Sequence, residues 1–278
     1  MTATTVVPIE ARTTTPDTNG TNPTRPVHPT IPAYRLVKLE LRKMFNTRSG
    51  FWMLVSIAVL SILATAAVIL FAPDSAVTYN NFATAIGLPM SVILPMIAIL
   101  AVTSEWSQRS GLTTFTLVPR RSRVIVAKAT AAFVVGVLSM ALAFAIGALG
   151  NLAGSALAGV DTIWDVSMAH AAQIMLGNLV GMAIGFTLGV VLRNSAAAIV
   201  GYFVVSLVLP GVLLLLAQVR EGFNDLQPWI DWNYTQAALF NGQTSSASEW
   251  SQLGATTMIW IVVPLLVGLL MLRRSEVK

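Results

Sequence analysis

The side chains best placed to do chemistry lie in one polar stretch, residues 104–123, set between two long apolar runs. It holds Glu105 and four arginines, Arg109, Arg120, Arg121 and Arg123. Glu105 and Arg109 are four apart, so one face of a short helix can pair them. Gly111 is suited to ending such a helix, and Pro119 introduces the basic cluster. This set can hold and orient a partner, or lie against lipid, but it cannot make or break bonds. The plainer reading is a solvated basic loop, kept on one side of a membrane by its charge.

The residue sets that bond-making needs are absent from the chain. It has no cysteine, and only His28 and His170 could offer imidazole, too few for a histidine-built metal centre. No lysine follows a glycine, which excludes the Walker A phosphate loop. Neither G-x-S-x-G nor H-E-x-x-H occurs, so an enzyme acting on lipid has no nucleophile set to work with. The expectation is a chain with no catalytic residue and no metal.

The elements that position the polar stretch are hydrophobic. Of 278 residues, 55% are hydrophobic and 10% charged, against about 25% charged in soluble domains. Six apolar runs, each near the ~20 residues that a bilayer core requires, cover 51–72, 86–103, 124–149, 168–192, 196–217 and 254–272. Pro89 and Pro95 in the second and Pro210 in the fifth mark kinks. The spacing predicts an all-α integral membrane protein with six transmembrane helices spread over 49–278. Residues 1–32, rich in Thr and Pro, are expected to be a disordered tail and not a signal peptide.

Residues 33–48 read as an amphipathic helix lying in the membrane interface. Tyr34, Val37, Leu41, Met44 and Phe45 fall on one side, while Arg35, Lys38 and Arg42 fall on another. In a six-span arrangement sixteen of the seventeen Lys and Arg residues lie on one side and only Arg220 on the other. Both termini are therefore expected in the cytoplasm. Cations that flank spans suit anionic lipid and not nucleic acid, despite the net charge of +5.

The outer side then carries Asp74, Asp161, Asp165, Glu221, Asp225, Asp231 and Glu249, with Trp164, Trp229, Trp232 and Trp250 near its boundary. Residues 218–253 are too apolar for a free loop and read as short helices on, or dipping into, the outer leaflet. Ser246 and Glu249 have the spacing of a capping box that opens the last span. The spans are nearly free of charge: Lys128 and His170 lie near span ends, where their side chains reach the interface. A proton- or ion-coupled carrier usually needs buried carboxylates, so an energy source outside the chain is expected. Gly177, Gly181, Gly185 and Gly189 form one stripe that lets a second helix approach closely, with packing inside the chain favoured over subunit contact. Gln173 and Asn178 on the same run are expected to make interhelical hydrogen bonds.

The order Glu105, Arg109, Gly111, Thr113, Leu117, Pro119, Arg123 and Lys128 resembles the coupling segment of type-2 ABC transporter permeases, with Leu112 where that family usually has Thr. Arg193 to Ala198, and the layout of interfacial helix, six spans and enlarged outer segment, resemble it too. The resemblance covers about 33–278. It implies a bacterial inner-membrane permease that dimerises with a second or related permease copy and exports its substrate. Two separate ATPase subunits would bind the ATP and Mg, and this chain would hold no cofactor. Glu105 and Arg109 would couple the two proteins, Gly111 and Pro119 would set the shape, and Arg120, Arg121 and Arg123 would touch ATPase or lipid, with Arg35, Lys38 and Arg42 at the wall of the docking site. An autonomous carrier or channel, and a non-transporting scaffold or sensor, stand as the alternatives.

Overall fold

The computed structural model describes residues 32–107, 121–244 and 246–274, and among these every regular element is helical. Helix α1 is Ala33–Asn46, α2 Arg48–Phe71, α3 Tyr79–Ser107, α4 Arg121–Ala158 and α5 Met168–Leu192. Helix α6, Ser195–Val219, widens to a π segment over Val204–Val208. Two short helices follow, α7 Glu221–Ile230 and α8 Trp232–Phe240. Helix α9 begins at Ala247, passes through a second π segment at Met258–Val262 and runs to Arg274. Six of these, α2, α3, α4, α5, α6 and α9, are long and apolar enough to cross a membrane.

Several helices outrun their apolar runs, while α5 matches its run residue for residue. Thr47 breaks α1 from α2 in an extended conformation, and its hydroxyl accepts from the Gly50 N–H at 3.3 Å. The elbow is tight enough that a Cβ at Gly50 would fall on the Met44 carbonyl. Helix α4 continues nine residues past Leu149 because Gly150 and Gly154 let Thr65, Val77 and the Phe82 ring lie against its backbone. The capping box at Ser246 and Glu249 is present in both halves and starts α9. Both π segments lie just before a proline, Pro210 and Pro264. A ring there removes one N–H donor and crowds the carbonyl four residues back, and a wider turn relieves both.

Helices α3 and α5 are the centre: 50% and 61% of their apolar windows are buried, against 11% for α6 and 17% for α2 and α9. The glycine stripe explains the contact between them. A Cβ at Gly185 would stand 2.8 Å from the Pro95 carbonyl oxygen, and one at Gly189 would touch Ile99 and Val102, both on α3. Gly177 and Gly181 instead face Phe240 and Gln236 of α8. All four glycines thus face neighbours in the same chain, two on each partner, where close backbone approach supplies dispersion energy.

Helices α7 and α8 form a hairpin that enters the bundle. The Trp260 indole donates to the Ile230 carbonyl at 2.8 Å, and Trp260 lies 13 residues, about 20 Å, along α9 from Ala247. The Asn233 amide donates to Val205 in the π segment of α6, and Gln236 donates to Gly177 at 2.8 Å. Climbing back, α8 ends where the Phe240 carbonyl meets His170 Nε2 at 2.8 Å and Gln173 donates to Thr244 at 2.7 Å. Trp232 is therefore no boundary residue: it is 1% exposed and packs among Met96, Ile99, Ile184 and Tyr202. Asp231 is likewise buried inside the bundle and not on an outer surface. The sequence hides this because α7 and α8 are too short to register as membrane-embedded helices.

Candidate functional site at the basic end of the bundle

The end of the bundle that carries α1, the end of α3 and the start of α4 also bears most of the described cations. Lys128 sits two turns into α4, where an unpaired ammonium among apolar neighbours would cost several kcal/mol. It is 2% exposed. Its Nζ donates to Glu40 Oε2 at 2.8 Å and to the Ala101 carbonyl at 2.9 Å. Lys43 Nζ, half-exposed on α1, donates to Glu40 Oε1 at 2.8 Å. One carboxylate and one ammonium thereby fasten three helices, α1, α3 and α4. The apolar floor is short: Leu36 of α1 packs with Val124 and Ala127 of α4.

Burial is the largest single influence and pushes the Glu40 carboxyl toward its neutral form, but the Lys128 charge, the hydrogen bonds from Lys128 and Lys43 and the Lys43 charge together outweigh it. The net effect holds Glu40 below its usual range, so it is ionised at neutral pH. A charge-assisted pair in a dry site fixes geometry because no water competes for either partner.

One expectation is corrected at this end. Lys128 does not run out to water at a span end; it is buried and its charge ends on α1. The face that α1 turns to the bundle is centred on Leu36 and Glu40, while Tyr34 and Phe45 are 64% and 52% exposed. Glu40 was hidden because a lone acid among Arg35, Lys38, Arg42 and Lys43 reads as a solvated partner for its own helix. The available signal was pairwise: one glutamate on a segment before the spans and one lysine inside a span.

Of the residues singled out from sequence, Arg35, Lys38 and Arg42 lie on the exposed side of α1. Arg35 stacks on its neighbour Tyr34, 5.9 Å from the ring centre. Glu105 falls in the last turns of α3 and Arg121 opens α4, so both backbones flank the basic loop, but their side chains are outside the described features. Arg123 is half-buried on α4. Arg109, Gly111, Pro119 and Arg120 lie outside the described residues, as does the 1–31 tail. The Glu105–Arg109 pairing therefore has no geometry here.

The neighbouring corner is ordered by hydrogen bonds. Arg193 ends α5 in a left-handed conformation, φ 52°, ψ 21°, and the Asn194 side chain caps α6 by accepting from Ala197 N. Thr103 and Ser195 hydroxyls meet at 2.7 Å, tying α3 to α6. The expected interhelical bonds of Gln173 and Asn178 do not form: Gln173 donates to the Thr244 carbonyl in the connection between α8 and α9. The Asn178 amide turns back to the Ile174 carbonyl of its own helix at 3.0 Å.

A second buried carboxylate stands at the hairpin tip. Asp231 Oδ1 accepts from Asn233 N at 3.0 Å, capping α8, and Oδ2 accepts from Gln227 at 3.1 Å. Asp231 lies in none of the six spans but between the two short helices, and no His, Cys, Asp or Glu cluster able to hold a metal occurs among the described residues. The chain matches no protein-family model, and no curated protein is found to be similar to it.

Proposed function

We propose that this chain is the transmembrane permease subunit of an ATP-driven exporter, powered by separate ATPase subunits that dock on its basic end. The observation that carries the reading is the Glu40–Lys128–Ala101 junction. A push on the basic loop reaches the ends of α3 and α4, and the junction makes α1 move with them. The resemblance of residues 104–128 to a coupling segment supplies the partner: two ATPase copies holding ATP and Mg, pressing from the cytoplasm of a bacterium. In this reading α1 is the amphipathic interfacial helix, both termini are cytoplasmic, and two permease copies enclose the path. The chain itself hydrolyses nothing.

The test is to isolate the tagged chain from native membranes in mild detergent and assay ATP hydrolysis. A co-purifying ATPase whose turnover falls in Glu105→Ala, Arg109→Ala or Lys128→Met, with insertion retained, supports the reading. No hydrolase in repeated isolations overturns it.

One observation favours a second reading, an autonomous carrier: Asp231 is a carboxylate buried in the bundle. Its bonds to Asn233 and Gln227 already account for it as a helix cap. Uptake or efflux by the purified chain alone in liposomes, abolished by Asp231→Asn, would establish the carrier instead.

A further inference from the structure

We propose that the outward side of α1 binds the headgroups of anionic phospholipids, with the helix lying at the membrane surface beside the bundle. At about 100° per residue, the perimeter of α1 divides into three arcs. The first faces the protein and is centred on Leu36 and Glu40, both buried. Tyr34 and Phe45 follow on the flank beyond Val37, Leu41 and Met44, and the protein leaves both rings more than half uncovered. Lys38, Arg42 and Arg35 come next, all exposed and within about 60° of one another. On the far side, among the exposed residues, only Leu39 is apolar. Protein, aromatic, cation is the order an interfacial helix needs: the rings enter the acyl boundary and the cations stay level with the phosphates. Trp52, exposed in the second turn of α2, lies just past the elbow, where an interfacial tryptophan belongs.

Charge selects the headgroup. Glu40 is the one carboxylate on α1, and it is turned inward onto Lys128 and Lys43. The exposed arc therefore carries three cations and no acid, and among the described residues no carboxylate pairs with Lys38 or Arg42. Arg35 donates from Nε to the Tyr34 hydroxyl at 3.1 Å, which leaves its other N–H groups for phosphate oxygens. A choline headgroup brings its own cation and cancels the attraction; a glycerol headgroup leaves the phosphate charge whole. Because Glu40 fastens α1 to α3 and α4, a headgroup held on the outer arc restrains the same three helices. The inference shares with the proposed function only the position of α1 at the membrane surface. It assigns the α1 cations to lipid and leaves the basic loop to an ATPase.

The chain has no cysteine, so Asn46→Cys, at the exposed end of α1, takes a single fluorophore. The full chain would be placed in nanodiscs that mix phosphatidylcholine with phosphatidylglycerol, one or the other carrying a nitroxide on the same acyl carbon. At equal mole fraction the phosphatidylglycerol quencher is expected to dim the label more, and high salt should shrink the difference. Arg42→Gln should cut the preference by up to about 5-fold, and Arg35→Gln, Lys38→Gln and Arg42→Gln together should abolish it. All three positions are exposed, so the thermal unfolding midpoint in phosphatidylcholine alone should stay near that of the parent. Equal quenching by the two lipids in the parent overturns the proposal, as does a preference that survives the triple variant. If both lipids quench alike and the triple variant loses an ATPase that the parent carries from native membranes, the arc is a protein contact and the proposal falls. Lost lipid preference with ATPase retained supports it. Absence of any ATPase would sink the exporter and leave this lipid contact standing.

Discussion

At the basic end, Glu40, Lys43 and Lys128 join helices through full charges; at the other end, Gln236, His170 and Trp260 join them through single hydrogen bonds to backbone carbonyls. The two designs differ in what they tolerate. A neutral bond to a carbonyl is worth about 1 kcal/mol, and its loss leaves a group whose desolvation is modest. A buried ion pair is nearly neutral when both partners are exchanged for apolar groups, but breaking it on one side strands a charge. The hairpin is held by many small increments, and the basic end by a single unit that is intact or broken. A part that transmits displacement needs the second property.

The sharpest way to break the comparison is Lys128→Met, expected to cost about 3–5 kcal/mol because Glu40 remains buried beside Lys43 alone. Glu40→Leu combined with Lys128→Met should recover most of that loss in denaturant unfolding. A double variant no more stable than the single one would show that the pair is not a unit. Acid acts in the same direction. Glu40 is held below its usual value in the folded state, so its stabilisation is complete above about pH 4.5 and fades as pH falls through the folded-state value. The parent should lose stability on acidification in that window, and the double variant should lose less. Gly185→Val is the next largest. With Pro95 backbone atoms 2.8–3.0 Å from any Cβ, α3 and α5 must separate, at about 1–3 kcal/mol or more. Gly254→Val, with open space at its Cβ, should show no such packing cost. Gln236→Leu removes one donor from Gly177 and should cost about 1 kcal/mol, independent of pH between 5 and 8.

Six spans, the capping box at Ser246 and the close packing at Gly177–Gly189 were legible in the sequence because each rests on local spacing. Twenty apolar residues, a serine three before a glutamate and glycine every fourth residue carry their meaning within a few turns. What escaped depends on pairs far apart in the chain. Glu40 and Lys128 are 88 residues apart, and neither position alone distinguishes a solvated charge from half of a buried pair. The hairpin escaped for a related reason. Asp231 and Trp232 have the composition of a membrane boundary, and only the anchors on Val205, Gly177 and Trp260 pull them inward. Asn178 shows the reverse error: a polar residue inside a span suggests a partner helix, yet its own carbonyls are nearer.

The smallest effect separates the two buried carboxylates. Asp231 serves as an acceptor: one oxygen caps α8 through Asn233 N, and the other accepts a hydrogen bond from the Gln227 amide. Asparagine caps a helix about as well as aspartate, and a Gln227 amide turned over can accept from the new NH₂. Asp231→Asn should therefore fall within a few tenths of a kcal/mol of the parent, and Asp231→Ala should cost about 1 kcal/mol through the lost cap. Glu40→Gln has no such escape, because the amide that replaces the carboxylate must face the ammonium groups of both Lys43 and Lys128. It should cost well over 1 kcal/mol, as hydrogen bonds between charged partners do. If the two amide variants were equally mild, charge would not be what holds the basic end, and the two ends would be fastened alike. If Asp231→Asn were the costlier, its carboxylate would hold more than a cap, and the carrier reading would gain what the exporter reading lost.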